Sequence, residues 1–182
     1  MLPKSIFRNL PEDWMALLRD TDHGLEKPVR LECLGGFVAV CVYGLPRYTA
    51  DLDYVAAAPG NMMNRLEELA GRGSDLYRRH KRYLQFTGIL GLPENYEERL
   101  LPLRLPELSK LHLDVLEIYD LILSKLTRNS PKDRHDVEAL ARTHGLSKAT
   151  LNARFENEMK PWIPNVSRHE LTLQLWTEGF QE

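Results

Sequence analysis

Two aspartates, Asp51 and Asp53, flank a leucine in the segment RYTADLDY at residues 47 to 54. Because successive side chains of a β-strand point to opposite faces, both carboxylates would project from one face, about 7 Å apart along the strand. Such a pair can hold Mg²⁺, which prefers oxygen ligands and often completes its coordination shell with substrate phosphates. The alternative is a solvated strand face, and an isolated pair of aspartates does not decide between the two.

Nearby residues favour the chemical alternative. Gly35 and Gly36 follow a strand-like segment, where glycine allows close backbone approach and a helix start offers free amide groups to a phosphate. Arg47 and Thr49 add a guanidinium group suited to phosphate and a hydroxyl group on the strand face of the two acids. Together these residue types indicate a site for a phosphate ester and a metal ion.

The order of these features, a glycine pair and then an R-x-[ST]-x-D-h-D strand, resembles the nucleotidyltransferases of the DNA polymerase β superfamily. It is most similar to the bacterial minimal branch that includes toxins of abortive-infection (type IV) toxin–antitoxin systems. The later segment DLILSKLTRNSPKDRHDVEAL resembles the downstream part of that branch, in which a lysine on one helix precedes a [KR]-D-[RK]-x-D helix start. The resemblance covers residues 31 to 55 and 115 to 142.

The resemblance implies Mg²⁺-dependent transfer of a nucleotide from an NTP donor. Gly35 and Gly36 would hold the phosphates of the donor, and Asp51 and Asp53 would bind Mg²⁺. Lys125 would reach the triphosphate or a nearby acidic group. The acceptor would be a hydroxyl of an RNA such as tRNA, or of a protein, and a toxin of this kind would have a cognate antitoxin as its partner.

The superfamily usually has a third carboxylate on a neighbouring strand. Here the neighbouring strand reads RYLQF, where the matching residue would be Gln85, which cannot ionise. Asp114 in LHLDVL is a substitute candidate, Glu98 is a weaker one, and Asp133 is another group that would serve, although it also suits the first turn of a helix. Without a third acid, the chain would instead be an inactive nucleotidyltransferase fold that binds or regulates.

Two other segments allow different interpretations. The basic run RRHKR at residues 78 to 82 would hold an RNA backbone or a second triphosphate, or would be only a solvated surface. Residues 139 to 155 have the spacing of a DNA-binding helix-turn-helix, with Lys148, Asn152 and Arg154 as the residues that would contact DNA.

The elements that must position the site follow from periodicity and punctuation. Strands are predicted for PVRLECL, TADLDYVAAA, RYLQFTGIL and LHLDVL, and helices for residues 11 to 20 and for NMMNRLEELA. GFVAVCVYG fits either period. Four helices follow residue 117, with capping boxes expected for Ser130 with Asp133 and for Ser167 with Glu170. The predicted fold is α+β, with a small mixed-sheet nucleotidyltransferase core at 1–116 and a helical subdomain at 117–182.

Composition limits the remaining classes of protein. The 182 residues suit one domain with at most a small appendage, and a net charge of −2 argues against nucleic-acid binding by bulk electrostatics. The longest apolar run is too short for a membrane span, and the first residues lack a signal-peptide core, which predicts a cytoplasmic protein with no membrane partner. Cys33 and Cys41 are expected to be reduced packing residues.

Overall fold

The structure is a computed structural model that describes residues 6–7, 10–88, 91–178 and 180. The chain divides into two compact units: Met1–Gly88 with Leu100–Leu116, and Ile89–Arg99 with Glu117–Glu182. The first unit is a mixed sheet with helices and the second is helical, so the predicted α+β class is confirmed.

In the residues of the first unit that the structure describes, six strands form one mixed sheet. They are β1 (Ile6–Phe7), β2 (Val29–Leu34), β3 (Asp51–Ala58), β4 (Tyr83–Phe86), β5 (Leu101–Arg104) and β6 (Leu111–Val115), in the spatial order β1-β5-β6-β2-β3-β4. β2 runs antiparallel to β3 and parallel to β6, and β4 runs parallel to β3. This order places β4 at one edge of the sheet, next to the strand that carries both aspartates.

The two faces of this sheet differ in polarity. Leu31 and Cys33 of β2 and Leu52 and Tyr54 of β3 are fully buried on one face. The residues between them on each strand face the other way, because side chains alternate along a strand. The polar face therefore carries side chains from four neighbouring strands, namely Arg30, Glu32, Asp51, Asp53, Tyr83, Gln85, His112 and Asp114.

The described part of the first unit contains four α-helices. They are α1 (Glu12–Gly24), α2 (Gly35–Phe37), which continues as a π-helix over Val38–Val42, α3 (Met63–Ala70) after a 3-10 turn at Gly60–Met62, and α4 (Asp75–His80). The ambiguous segment GFVAVCVYG is therefore helical. The helix α4 was missing from the sequence prediction; Ser74 caps its start, and Lys81 ends it in the left-handed conformation.

The second unit contains the remaining helices. They are α5 (Ile118–Ser124), α6 (Pro131–His144), α7 (Lys148–Arg154) with a π-helical extension at Phe155–Met159, and α8 (Val166–Thr177). The capping box of Ser130 and Asp133 at the start of α6 is confirmed. The one predicted for Ser167 and Glu170 is wrong, because α8 begins at Val166 after the left-handed residue Asn165 and has no side-chain cap.

Arg99 joins the 3-10 turn at Tyr96–Arg99 to these helices through two carboxylates, those of Asp120 and Glu158. The Asp120 side chain is fully buried; it accepts a hydrogen bond of 2.8 Å from Nε of Arg99 and one of 2.9 Å from Nη1 of Arg154. Arg99 also donates to Glu158 at 2.7 Å. These ion pairs explain why this segment clusters with helices that follow it by about twenty residues. No helix in the described part of the chain is long and apolar enough to cross a membrane.

Candidate active site

The first glycine of the pair is in direct contact with the second aspartate. Helix α2 begins where β2 ends, and Leu34, the last residue of β2, pairs with Asp53 on β3. Gly35 has a φ of +69°, and a Cβ at this position would lie 2.1 Å from Oδ2 of Asp53. Only glycine therefore allows the Asp53 carboxylate to lie against the start of the helix.

The second glycine is in contact with the residues that precede the first aspartate. A Cβ at Gly36 would lie 2.6 Å from Oγ1 of Thr49 and 3.4 Å from Nη2 of Arg47. Thr49 is buried, and its hydroxyl donates a 2.8 Å hydrogen bond to Oδ1 of Asp51. The structure thus brings together all six residues that were predicted for phosphate and metal binding in the first unit, namely Gly35, Gly36, Arg47, Thr49, Asp51 and Asp53.

The electrostatics of this cluster favour a cation and an anion together. The N-cap residue of α2 is Leu34, which has no polar side chain to cap the helix, and the N-terminus of a helix favours negative charge, as does the guanidinium group of Arg47. The carboxylates of Asp51 and Asp53 would repel a phosphate at the same place. A divalent cation held by the two carboxylates would offset this repulsion.

The donor set fits Mg²⁺. In the described part of the chain, no group of three or more His, Cys, Asp or Glu side chains is arranged to hold a metal ion. Mg²⁺ is commonly bound through one or two carboxylates and substrate phosphates, and it keeps several waters. Two half-buried carboxylates on one strand face, one of them oriented by Thr49, meet this requirement without a third protein ligand.

The neighbouring strands place further side chains beside the two acids. On β4, Tyr83 pairs with Asp51 and Gln85 pairs with Asp53. Gln85 therefore stands next to the acid pair, at the position where the resemblance implies a third carboxylate. Its amide can donate and accept hydrogen bonds but cannot take up a proton at neutral pH.

Other acids lie on the opposite side of β3. Asp114 on β6 pairs with Glu32 on β2, and both share the polar face with Asp53. Asp114 is buried and accepts a 2.5 Å hydrogen bond from Nη1 of Arg30. Glu32 was missed by the sequence analysis; its signal was the alternation of RLECL, which puts it on the polar face. Glu98 lies in the 3-10 turn of the second unit and is exposed.

A protein-family model covers most of this chain. The model of a family described as nucleotidyltransferase of unknown function (DUF6036) matches residues 9–180. The chain belongs to this nucleotidyltransferase family. No curated protein and no solved structure matches it. The family description names no substrate or metal, so the toxin-like resemblance and the dependence on Mg²⁺ stay predictions.

Lys125 of this nucleotidyltransferase lies in a buried cluster of charges within the second unit. It is 3% exposed, and its Nζ lies 2.9 Å from Oδ2 of Asp136 and 3.5 Å from Oδ1 of Asp133. The resemblance implied contact with a triphosphate or a nearby acidic group, and the ammonium group lies beside two acidic groups.

Asp133 is tied to the start of α6. It accepts hydrogen bonds from Nε of Arg128 at 2.8 Å and from the backbone N–H of Ser130 at 3.0 Å. Burial alone would raise the pKa of Asp133, but the hydrogen bonds from Arg128 and Ser130 and the charge of Lys125 together hold that pKa far below its usual value. A carboxylate of this kind is a poor proton acceptor at neutral pH.

The basic run at residues 78 to 82 is largely neutralised within the first unit. Arg79 and His80 both contact Oδ2 of Asp20, at 2.9 and 2.8 Å, and Arg78 pairs with Asp75. Arg82 pairs with Asp13 and lies over the ring of Tyr48, with 4.3 Å between the guanidinium carbon and the ring centroid. These pairings leave little free positive charge for an RNA backbone.

The helix-turn-helix spacing is present in the nucleotidyltransferase, but it is poorly suited to DNA. Helices α6 and α7 are joined at Gly145, which adopts the left-handed conformation. Arg154 pairs with Glu117 and Asp120 and lies over the Tyr119 ring, so it is engaged within the protein. A cavity of about 780 Å³ is lined by α6 and α8, and none of the predicted site residues lines it.

Proposed function

We propose that this protein transfers a nucleoside monophosphate from a Mg²⁺-bound NTP to a hydroxyl group of an RNA or a protein. The observation that carries the proposal is the close packing of the glycine pair against the segment that contains both aspartates. The side chain of Asp53 occupies the position of a Cβ at Gly35, and the side chains of Thr49 and Arg47 lie against that position at Gly36. This arrangement places the start of α2, which would bind phosphate, beside a carboxylate pair. Membership of a nucleotidyltransferase family supports the same reaction class.

Each side chain has a distinct role in the proposed reaction. The amide groups at Gly35 and Gly36 and the guanidinium group of Arg47 would bind the donor phosphates. Asp51 and Asp53 would hold Mg²⁺, which supplies charge neutralisation on the triphosphate when it is bound. The acceptor oxygen would form a bond to the α-phosphorus while the bond to pyrophosphate breaks, and the hydroxyl proton would leave to a base.

Asp114 is our candidate for the third carboxylate. It shares the polar face with Asp51 and Asp53, whereas Gln85 cannot take up a proton. Glu98 stays the weaker candidate, in the exposed 3-10 turn. Arg30 holds Asp114 in its present position, at 2.5 Å. We retain Lys125 and Asp133 as candidates for a role in the reaction, with Lys125 acting on phosphate and Asp133 positioning Lys125.

The cellular role that we propose follows from the resemblance alone. A nucleotidyltransferase of this type would act in the cytoplasm as the toxin of a toxin–antitoxin system, with an RNA such as tRNA, or a protein, as its acceptor and a cognate antitoxin as its partner. Fold-level similarity is a poor guide to substrate, so the acceptor must be found by experiment.

A second candidate function is a nucleotide-binding module without transferase activity. The observation that favours it is Gln85 in register with Asp53, together with the lack of a three-acid cluster in the described residues. This alternative predicts Mg²⁺-dependent NTP binding that depends on Asp51 and Asp53 but leads to no transfer.

Calorimetry followed by label transfer tests the proposal. Each NTP is titrated with Mg²⁺ into the wild type, Asp51→Asn and Asp53→Asn, with Asp75→Asn as an exposed control in the same unit. The protein is then incubated with each radiolabelled NTP and total cellular RNA or protein. We expect binding and transfer to fall in both site variants and to persist in the control. Equal binding in all four proteins would overturn the metal site, and binding without transfer would favour the inactive module.

A further inference from the structure

The edge strand β4 places an aromatic ring and an amide beside the two aspartates. In the parallel register, Tyr83 lies next to Asp51 and Gln85 lies next to Asp53, and both share their face of the sheet. Tyr83 is half-buried and Gln85 is exposed. Among the described residues, no further strand pairs with the outer side of β4, which lies at the edge of the sheet. A ligand held at the carboxylates therefore meets these two side chains first on this side.

The ring of Tyr83 is held by two neighbours. The guanidinium carbon of Arg72 lies over the ring, 5.9 Å from its centroid, and the ring of Tyr77 meets it edge-on at 5.5 Å. Arg72 is itself exposed, so a flat cation and a flat aromatic ring are presented together. Burial raises the pKa of Tyr83, and the negative charge of Asp51 raises it further, so the hydroxyl stays protonated.

This combination of groups is suited to a nucleobase. Bases stack on aromatic side chains and on the plane of an arginine guanidinium group, and such stacking tolerates any base because every base has a π-face. An amide such as that of Gln85 can both donate to and accept from the edge of a base. A phosphate that is held near Asp51 and Asp53 brings its own nucleoside to within reach of this edge of the sheet.

We propose that Tyr83 and Arg72 form a stacking platform for a nucleobase beside the carboxylate pair, with Gln85 bonding the edge of that base. The inference rests on the proposed function, since it takes the carboxylates as the place where the nucleotide phosphate is held. The base comes from one of two sources, the NTP donor or the terminal nucleotide of a single-stranded RNA acceptor.

Substitutions at Tyr83, Arg72 and Phe86 test whether a base stacks on the aromatic face of Tyr83 and the guanidinium group of Arg72. Tyr83→Leu removes the aromatic face, Tyr83→Phe keeps it, and Arg72→Ala removes the flat cation. Phe86→Leu is the control, because Phe86 is a 44% exposed aromatic residue on the same strand that packs towards Tyr54 on the opposite face. Thermal unfolding and far-ultraviolet circular dichroism establish that each full-length variant is folded before binding is measured.

Three ligands distinguish the source of the base. Calorimetry with Mg²⁺ measures the affinity for each NTP and for inorganic tripolyphosphate, which has no base. Fluorescence anisotropy measures the affinity for a 5′-labelled single-stranded oligoribonucleotide with a free 3′ end. Loss of one stacked base is expected to weaken binding by about tenfold. For Tyr83→Leu and Arg72→Ala, a loss confined to NTPs assigns the platform to the donor, and a loss confined to RNA assigns it to the acceptor.

Tripolyphosphate binding should stay at the wild-type level in every variant, and Tyr83→Phe and Phe86→Leu should bind all ligands normally. The inference is overturned by any of three results. The NTP and RNA affinities are unchanged in Tyr83→Leu; its tripolyphosphate affinity falls as much as its NTP affinity; or the wild type binds neither NTP nor RNA. Asp51→Asn keeps the two proposals apart. If Asp51→Asn binds NTP as tightly as the wild type and the wild type transfers no label, the proposed function fails, while the RNA measurement still reports on the platform.

Discussion

The carboxylate of Asp53 fills the space that a side chain at residue 35 would need. A Cβ at Gly35 would lie 2.1 Å from Oδ2 of Asp53, and the φ of Gly35 is +69°. The glycine pair and the aspartate pair, which are separated in sequence by a helix and a loop, therefore pack directly against each other. The glycine pair is needed for the position of the acids, and in the proposed function it would also give a phosphate access to the backbone.

Substitution Gly35→Ala should disrupt the site more than it disrupts the fold. A left-handed φ costs an alanine about 1–2 kcal/mol, and the contact with Asp53 forces the carboxylate or the helix start to move. Displacement of a positioning group by about 1 Å can lower a catalysed rate about 100-fold. Urea unfolding gives the free energy of unfolding, and Mg²⁺-NTP binding reports on the site.

Gly44→Ala is the matched control for that experiment. Gly44 has a φ of +79°, and a Cβ there would meet no atom within 4 Å. The control should therefore lose about 1–2 kcal/mol of stability from backbone strain alone and bind nucleotide normally. Wild-type nucleotide affinity in Gly35→Ala would show that the contact with Asp53 does not position the acid.

Gly36→Ala and Thr49→Ala should be coupled energetically. The new methyl group at residue 36 would lie 2.6 Å from Oγ1 of Thr49, whose hydroxyl donates to Asp51. Rotating Thr49 away should cost about 1–2 kcal/mol through the strained rotamer and the lost hydrogen bond. With alanine at residue 49 the hydroxyl is absent, so Gly36→Ala should cost about 1 kcal/mol less there than in the wild type.

A double-mutant cycle from urea unfolding measures this coupling. Additive free energies in the four proteins would contradict the predicted contact, because two substitutions without a shared interaction usually add to within about 0.5 kcal/mol. Magnesium-dependent NTP binding in the same four proteins shows whether the orientation of Asp51 by Thr49 also matters for the ligand.

Local patterns were sufficient to predict the site strand and its immediate partners. The alternation of Asp51, Leu52 and Asp53 fixes which side chains share a face, and the structure has Leu52 buried between the two acids. The capping signal of Ser130 with Asp133 is equally local, and it fixed the start of α6. Neighbouring residues suffice in these two cases, because side-chain alternation along a strand and the capping of a helix start both depend on residues within a few positions of one another.

Features that depend on distant residues were not predictable in this way. Arg99 and Asp120 form an ion pair across about twenty residues of sequence, and no periodicity marks that pairing. The register that sets Tyr83 beside Asp51 depends on how β4 aligns with β3, which the sequence of neither strand specifies alone. A local signal also failed at α8, which begins at Val166 after the left-handed residue Asn165 and not at the capping signal of Ser167.

Lys125→Met tests whether Lys125 stabilises the fold, binds phosphate, or does both. Its Nζ lies 2.9 Å from Asp136 in a buried environment, and removal of one partner from a buried ion pair costs about 3–5 kcal/mol. The exposed Lys132→Met serves as the control, with an expected change within about 0.5 kcal/mol. Urea unfolding, monitored by circular dichroism, gives the free energy of unfolding of the wild type and of both variants.

Nucleotide binding then separates the two roles of Lys125. Under conditions where Lys125→Met is fully folded, unchanged Mg²⁺-NTP affinity means that the ammonium group acts only within its ion pairs. A fall in affinity of about tenfold or more would indicate a direct phosphate contact, because hydrogen bonds to charged groups contribute about 1.5–3 kcal/mol. Equal stability of Lys125→Met and Lys132→Met would contradict the buried ion pair.

Asp133→Asn should change how stability depends on pH. Because hydrogen bonds and the Lys125 charge hold the folded-state pKa of Asp133 below that of the unfolded chain, about 3.9, the ionised carboxylate stabilises the fold above that pH. The stabilisation is lost as pH falls from about 5 towards the folded-state value. Asp133→Asn should therefore be less stable than the wild type by about 2 kcal/mol at pH 7, and the difference should shrink at pH 3.

Ser147→Ala is the control. It removes a non-titrating cap at the start of α7 and should cost about 1 kcal/mol at both pH values. Urea unfolding of the three proteins between pH 3 and 7 makes the measurement, and parallel curves for the two variants would show that Asp133 does not carry the acid sensitivity.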